Sequence, residues 1–271
     1  MTSYKPRAVS GDAGLLAARQ TPAPEPYYTD DTVTLYLGDC REVLPVLGVD
    51  ADLVLADPPY GETSLAWDRW PDGWLTSAAE IASSLWCFGS MRMFLLHGME
   101  FAAAGWKLSQ DIVWEKHNGS GFAADRFKRV HESIVHWYRG EWSELFREVQ
   151  TTPDATKRTV RRRTRPAHTG VIGNGEYSTQ GGGPRLMRPV LQVRSMHGRA
   201  LHPTEKPLGI LEPLIRYACP PGGLVVDPFA GSGSTLDAAR QAGRRAVGIE
   251  ANERYAELAK RRLEQLTLEV S

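Results

Sequence analysis

Cysteine is scarce in this chain. Cys40, Cys87 and Cys219 are the three among 271 residues, odd in number and far apart. That spacing suggests neither a disulfide framework nor a zinc site, and it fits a reducing compartment. Long hydrophobic runs are absent too. No stretch approaches 18 consecutive apolar residues, so no membrane span is expected. The first residues lack the basic-then-apolar pattern of a secretory signal, and a cytoplasmic protein is the expectation. Net charge is missing: 32 basic residues balance 32 acidic ones. No internal repeat is visible. A chain of this length is expected to hold one large domain plus an insert, with ample core.

Against this plain background stands Asp57-Pro58-Pro59-Tyr60, straight after the apolar run Asp52-Leu53-Val54-Leu55-Ala56. The run reads as a buried parallel strand. Pro58 must end it, because proline has no ladder N–H and restricts the residue before it. A carboxylate, a stiff Pro-Pro elbow, a carbonyl and an aromatic ring are thus delivered to the carboxyl edge of a sheet, where open α/β folds bind ligands. The set suits a planar base with an exocyclic amino group. Asp57 and the Pro58 carbonyl can each accept one amino hydrogen, and the Tyr60 ring can stack. The competing reading is a strand-ending turn whose Tyr packs.

A second motif is Leu224-Val225-Val226-Asp227-Pro228-Phe229-Ala230-Gly231-Ser232-Gly233-Ser234-Thr235. An apolar strand runs into a glycine turn, then into a helix opening at about Ser234. The glycines let backbone approach a ligand and admit positive φ. Downstream, Arg245-Ala246-Val247-Gly248-Ile249-Glu250 reads as another strand ending in an acid, 19 positions after Gly231. That is about the spacing at which an acid accepts hydrogen bonds from ribose hydroxyls; a solvated strand-end carboxylate is the alternative. Earlier in the chain, the strand-like Val33-Thr34-Leu35-Tyr36-Leu37-Gly38 ends at Asp39, and a short helix is expected from Arg41 to Leu47. Asp39 can accept from the amino group of a nucleoside's adenine, or cap that helix, or both.

Together these residues resemble the amino-methylating DNA methyltransferases that use S-adenosylmethionine. The DPPY motif comes first and the FAGSGS motif nearly last, an order similar to the β group of that family. Trp114-Glu115-Lys116 and Arg129-Val130-His131-Glu132-Ser133-Ile134 resemble its central strands. His202-Pro203-Thr204-Glu205-Lys206-Pro207 resembles the segment before its cofactor motif, and Gly248-Ile249-Glu250-Ala251-Asn252-Glu253-Arg254-Tyr255 its ribose-binding strand and following helix. The resemblance covers roughly residues 33–266 apart from an insert. It implies an α/β, Rossmann-like methyltransferase fold: a mostly parallel twisted sheet with helices on both faces. It implies catalysis at Asp57, Pro58, Pro59 and Tyr60. It implies cofactor binding by Asp39, Asp227, Pro228, Phe229, Gly231, Ser232, Gly233, Ser234, Glu250 and Asn252. Lys206 can pair with the cofactor's methionine carboxylate or be solvated, and His202 reads equally as a structural histidine or a ligand. Double-stranded DNA is the implied partner, in a prokaryotic or phage setting. A homodimer and a cognate restriction endonuclease are further partners of such enzymes.

A nucleic-acid enzyme of zero net charge needs its positive charge gathered somewhere. Between 151 and 199, ten basic residues face only Asp154 and Glu176, a net +8. Residues 141–200 are read as the DNA-facing, target-recognition insert, with Arg158, Arg161, Arg162, Arg163 and Arg165 as phosphate or base contacts. A solvated basic loop is the alternative. The catalytic domain is expected over 33–140 and 201–271, behind a flexible arm at 1–32. In the loop from Gly61 to Trp74, Trp67 and Trp70 can stack on DNA, close over a flipped base, or simply pack. Residues 86–96 suit a helix end followed by a strand, and Gly119-Ser120-Gly121 reads as a mobile loop.

The chemistry follows from an aryl amine, whose nitrogen lone pair is delocalised into the ring. Accepting both amino hydrogens would draw the nitrogen toward tetrahedral geometry and free the pair for an in-line methyl. Such positioning can supply up to about 7–11 kcal/mol. The chemistry requires no metal and no covalent enzyme intermediate, and Asp57 need only stay ionised. A base buried in a duplex must be flipped out, at a cost of roughly a few kcal/mol. The DPPY form is more typical of adenine-N6 enzymes in the family. Cytosine-N4 methylation on the same scaffold, and methylation of RNA or of a protein amide, are the alternatives.

Overall fold

The computed structural model describes residues 24–120, 125–161, 176–195 and 205–270. In chain order the strands are β1 (Tyr28–Thr29), β2 (Val33–Leu37), β3 (Leu53–Ala56), β4 (Ser84–Gly89), β5 (Lys107–Ser120), β6 (Arg129–Tyr138), β7 (Thr151–Thr152), β8 (Arg158–Arg161), β9 (Glu176–Thr179), β10 (Arg185–Leu186), β11 (Val190–Gln192), β12 (Leu224–Asp227) and β13 (Arg245–Glu250). The helices are α1 (Cys40–Val43), α2 (Trp74–Ile81), α3 (Met91–Ala103), α4 (Leu208–Ala218), α5 (Ser234–Gln241) and α6 (Glu253–Val270). Two compact units result: Met1–Glu148 with Pro189–Ser271, and Val149–Arg188.

In the first unit nine strands form one sheet in the order β1-β2-β13-β12-β3-β4-β6-β5-β11. Five of its eight neighbouring pairs are parallel, so the expected mostly parallel α/β sheet is present. The reason lies in the strands themselves. All four residues of β3, all four of β12 and all six of β4 are buried, as both-face-covered parallel strands require. Alternate residues feed separate cores. Leu53 and Leu55 pack with α4, α5 and α6 on one face, and Val54 and Ala56 with α1, α2 and α3 on the other.

β3 and β12 are neighbours (Val225 opposite Leu53, Val226 opposite Val54), although some 170 residues separate them. The chain leaves β3 toward β4 on one side and leaves β12 toward β13 on the other. Their carboxyl ends therefore form a topological switch point, the crevice where open α/β sheets take ligands. Asp52 pins the junction: its carboxylate accepts from Leu224 N at 2.8 Å, and its own N–H donates to Leu224 O at 3.0 Å. Gly223 makes room for this, since a Cβ there would lie 2.6 Å from Asp52 Oδ2 and 2.9 Å from Pro220 O.

The structure departs from sequence expectation at several elements. The helix expected from Arg41 to Leu47 is α1 followed by a 3-10 turn, Leu44–Val46, because Pro45 cannot continue an α-helical ladder. The expected helix-then-strand order over 86–96 is reversed: β4 comes first, and Ser90 caps α3 by accepting from Met93 N at 3.0 Å. Helical periodicity is masked there because Met91, Leu95, Leu96 and Met99 are apolar yet exposed. Gly119 and Ser120 lie on β5 rather than in a loop, and Gly121 lies outside the described residues. At the end of the expected arm, Tyr28 and Thr29 pair antiparallel with β2. At the borders of the expected insert, Glu148 N donates to Tyr217 O and β11 joins β5, both inside the first unit.

The second unit consists of two antiparallel pairs, β7 with β10 and β8 with β9. Ala155 is buried and exchanges backbone bonds with Gly182 and Gly183. Asp154 pairs with Arg185. Among the described residues no helix is long and apolar enough to cross a membrane.

His136 on β6 is 1% exposed, with Nε2 2.9 Å from Ser84 Oγ. Burial, helped by Arg147, pushes its imidazole down to about 3 from an ordinary 6.5. The unfolded chain therefore takes up a proton first as pH falls below 6.5, and folding stability drops from there toward the folded value. Urea unfolding should show up to about 1.4 kcal/mol lost per pH unit from this residue, and His136→Gln should flatten that slope.

Candidate active site

β3 ends at Ala56, and the buried Pro58 turns the chain so that the Asp57 side chain remains 21% exposed. Asp57 Oδ2 lies 2.6 Å from Lys206 Nζ, and Oδ1 accepts from the Tyr60 hydroxyl at 2.7 Å. Both donors also reach a second carboxylate, Glu132 of β6. Lys206 is 3.0 Å from it and the Tyr60 hydroxyl 2.6 Å. The other oxygen of Glu132 holds Lys116 of β5 at 2.6 Å. Lys206 Nζ also stands 4.9 Å from the centre of the Phe88 ring. Two carboxylates, two ammonium groups and one phenol thus close into a nearly neutral cluster, which is what makes their burial tolerable.

The two carboxyls are unequal. Burial raises both, but at Glu132 the ammonium groups of Lys206 and Lys116 outweigh it and hold the group down at about 2. At Asp57 burial, with Glu132 adding repulsion, outweighs Lys206 and Tyr60, so Asp57 sits above the usual carboxylate range. The Tyr60 phenol is raised by burial and by both carboxylates. The site fills with charge from distant segments, a matter no tetrapeptide encodes.

The loop after Tyr60 is organised from within. Buried Asp68 accepts from the backbone N–H groups of Gly61, Glu62 and Thr63 at 2.8, 3.0 and 2.6 Å. Trp70 stacks on His97 of α3 with ring centroids 4.1 Å apart and donates Nε1–H to Glu100 at 2.8 Å. Trp74 is wholly buried, while Trp67 is 43% exposed beside them. Packing therefore accounts for Trp70 and Trp74, and Trp67 is the ring of this loop that faces solvent.

The cofactor-motif residues gather at the neighbouring strand ends. Asp227 closes β12, is 3% exposed and accepts from Phe229 N at 2.9 Å. Burial pushes it up to about 7, with Thr235 and Phe229 opposing and the charges of Asp57 and Glu250 adding to the rise. Pro228 is buried, and Phe229 meets Trp74 edge-on at 5.2 Å. Gly231 (φ 53°) and Gly233 (φ 81°) hold left-handed turns, and a Cβ at Gly233 would sit 3.1 Å from Ala259 Cβ of α6. Glu250 at the end of β13 accepts from Gly231 N at 2.7 Å and Asn252 N at 2.8 Å, so it shapes the glycine loop itself and keeps acceptor positions over. Asn252 caps the start of α6 by accepting from Arg254 N at 3.0 Å. Asp39 caps α1, accepting from Arg41 N at 2.9 Å, and pairs with the Arg41 side chain at 2.6 Å.

Several expected ligands are engaged elsewhere. Lys206 holds Asp57 and Glu132 rather than standing clear for a cofactor carboxylate. Ser234 Oγ accepts from Arg262 at 2.8 Å, Arg262 pairs with Glu205 at 2.6 Å, and Ser232 Oγ lies 3.5 Å from Glu205. Glu205 and Arg262 thus clamp the glycine loop to α6. Arg158 is exposed at the start of β8, and Arg161 ends that strand, in the second unit. Arg162, Arg163, Arg165 and His202 lie outside the described residues. Sequence reasoning gave no role to Glu132, Lys116, Glu205 or Arg262. For Glu132 the available signal is an acid two residues before the apolar Ile134-Val135 of β6.

Asp57 and Glu250 both lie close enough to Asp227 to act on it, so three carboxylates gather at these strand ends with a glycine loop beside them. That donor set fits a cationic nucleoside such as S-adenosyl-L-methionine: acid for its positive charge, Glu250 for ribose hydroxyls, close backbone for the rest.

Comparison with known proteins agrees. The sequence model of the N6/N4 DNA methylase family matches residues 51–261. YubD of Escherichia coli (strain K12), named as a methylase, is 31% identical over 238 residues, which is 83% of this chain and 88% of that one. The crystal structure of the M1.HpyAVI–SAM complex superimposes with a TM-score of 0.59 at 22% identity, covering 85% of this chain and 99% of the other. The cytosine-N4-specific PvuII DNA methyltransferase does so with a TM-score of 0.59 at 17% identity, covering 86% and 87%. At these identities the two structural matches are likenesses of fold. The chain belongs to the N6/N4 DNA methylase family and is an S-adenosyl-L-methionine-dependent DNA methyltransferase.

Proposed function

We propose that the protein methylates the exocyclic N6 of adenine within a defined duplex DNA sequence, acting on a base turned out of the helix. The observation that carries this reading is Asp57, a partly exposed carboxylate at the end of β3 with Pro58 fixed behind it, beside the carboxylates of the cofactor crevice. Asp57 and the Pro58 carbonyl accept the two amino hydrogens, and the Tyr60 ring holds the base plane. Bound S-adenosyl-L-methionine supplies an electrophilic sulfonium methyl. Asp227 and Glu250 balance positive charge and engage ribose, and Asp39 accepts at the adenine edge. Asp at the head of the tetrapeptide favours adenine over cytosine-N4 by family resemblance. The fold does not separate them, since the cytosine-N4-specific PvuII enzyme shares it. The second unit, with the basic segment around it, serves as the target-recognition part, and Trp67 contacts the DNA or the flipped base.

Asp57→Ala should lower methyl transfer by about a hundred- to a thousandfold, the scale of losing a principal group at the reacting atom. The dissociation constant for S-adenosyl-L-methionine, measured by calorimetry, should stay within about threefold. Base-resolved mapping of DNA from cells expressing the wild type should show N6-methyladenine in one short sequence; N4-methylcytosine would replace the base assignment and keep the mechanism.

Asp227, raised to about 7, is ionised above that value. Affinity for the cationic cofactor should therefore weaken as pH falls through about 7, by up to tenfold per unit, and Asp227→Asn should remove the dependence. DNA binding should weaken steeply with salt. If about four to six of the arginines in the basic segment meet phosphates, log K should fall with log salt at a slope near −4 to −5. A flat salt response would remove the basic segment from the DNA interface.

A further inference from the structure

We propose that Glu132 is a positioning residue that receives Lys206 and Tyr60 when the target amino group arrives at Asp57, so that transfer of these two donors from one carboxylate to the other opens Asp57 for catalysis. The inference rests on the proposed reading of Asp57 as the acceptor of the amino hydrogens. It starts from a conflict in the geometry. Each oxygen of Asp57 already accepts from one donor, Oδ1 from the Tyr60 hydroxyl at 2.7 Å and Oδ2 from Lys206 at 2.6 Å. A tyrosine hydroxyl carries one hydrogen, yet this one lies 2.6 Å from Glu132 as well, so it can serve only one carboxylate at a time. Lys206 is likewise within 3.0 Å of Glu132.

Each oxygen keeps an acceptor position, but a carboxylate already bonded to an ammonium and a phenol is a weakened acceptor, so an arriving amino group is held better as these donors yield. Releasing a buried ammonium to nothing is costly. Handing it to a carboxylate already in contact is not, and neither donor needs to travel. Glu132 is built to receive. It is held on β6 opposite Trp114 of β5, so it cannot follow Asp57. Its outer oxygen is neutralised by Lys116 at 2.6 Å, which keeps it ionised. The groups facing Asp57 are Lys206 before α4, Tyr60 on its own turn, Glu132 on β6, Cys87 on β4 and Asp227 on β12. Of these, Lys206 and Tyr60 supply the hydrogens, and Glu132 is the acceptor in contact with both.

The test measures single-turnover transfer of tritiated methyl from S-adenosyl-L-methionine to unmethylated DNA from a methylase-deficient host, between about pH 5 and pH 9, for the full-length wild type, Glu132→Gln and Lys116→Met. Glu132→Gln should slow transfer about tenfold or more while leaving cofactor affinity within about twofold, because the loss falls on the reacting step. Its acid limb should move down by about one pH unit, since the charge that raises Asp57 is gone. Lys116→Met should move the limb up, since Glu132 is then less neutralised. Lys116 is partly exposed, so this variant decides the matter alone if thermal melting shows Glu132→Gln to be unfolded. A structural role for Glu132 would lower the rate without opposite shifts. Limbs that stay put, or that move together, while the wild type methylates DNA overturn the exchange alone. A wild type that transfers nothing to DNA overturns the proposed function and this inference with it.

Discussion

The parallel pairing of β3 with β12 is the constraint on which the rest depends. It joins segments about 170 residues apart, and closing so long a loop must be offset by burial. The offset comes from two strands buried on every residue, from the flanking cores on both faces, and from Asp52 bonded to the backbone of Leu224. Once the pair forms, Asp57 and Asp227 emerge at the same edge of the sheet, two residues apart in register, because each is the first residue past, or the last residue of, its strand. The Asp57-Pro58-Pro59-Tyr60 turn and the glycine loop meet for that reason.

The second determinant is electrostatic. Carboxylates brought together at a strand edge repel, and their burial raises each one. The protein resolves this differently at two places. Around Asp57 it brings in Lys206 and Lys116 with Glu132, so that charge is matched inside the protein. Around Asp227 and Glu250 backbone N–H groups share the work. The first arrangement makes a self-contained cluster. The second leaves an acidic crevice suited to a cation from outside, which is the charge type of the family's cofactor.

Legibility in the sequence tracked how local each feature is. Asp57-Pro58-Pro59-Tyr60, the glycine turn and Glu250 were readable because backbone chemistry over a few residues dictates them: proline ends a strand, glycine turns it, an acid closes it. Asp39 as a helix cap was readable for the same reason. Glu132 and Lys116 were not. They sit on different strands, and the antiparallel pairing of β5 and β6 brings them to one place. The clamp of Glu205 and Arg262 spans 57 residues and is equally silent in the sequence. Residues 86–96 misled because β4 is apolar throughout and α3 carries Met91, Leu95 and Met99 on an exposed face, so neither period stands out.

The sequence by itself determined the class of fold, the positions where strands had to stop, the glycine turn and the family, since these follow from proline, glycine and apolar patterning over short spans. Only the tertiary structure decided which charges share a site. Lys206 reads in the sequence either as a partner for a cofactor carboxylate or as a solvated cation, yet in the fold it binds Asp57 and Glu132, because a buried ammonium goes to the nearest buried carboxylate and nearness is set by strand order.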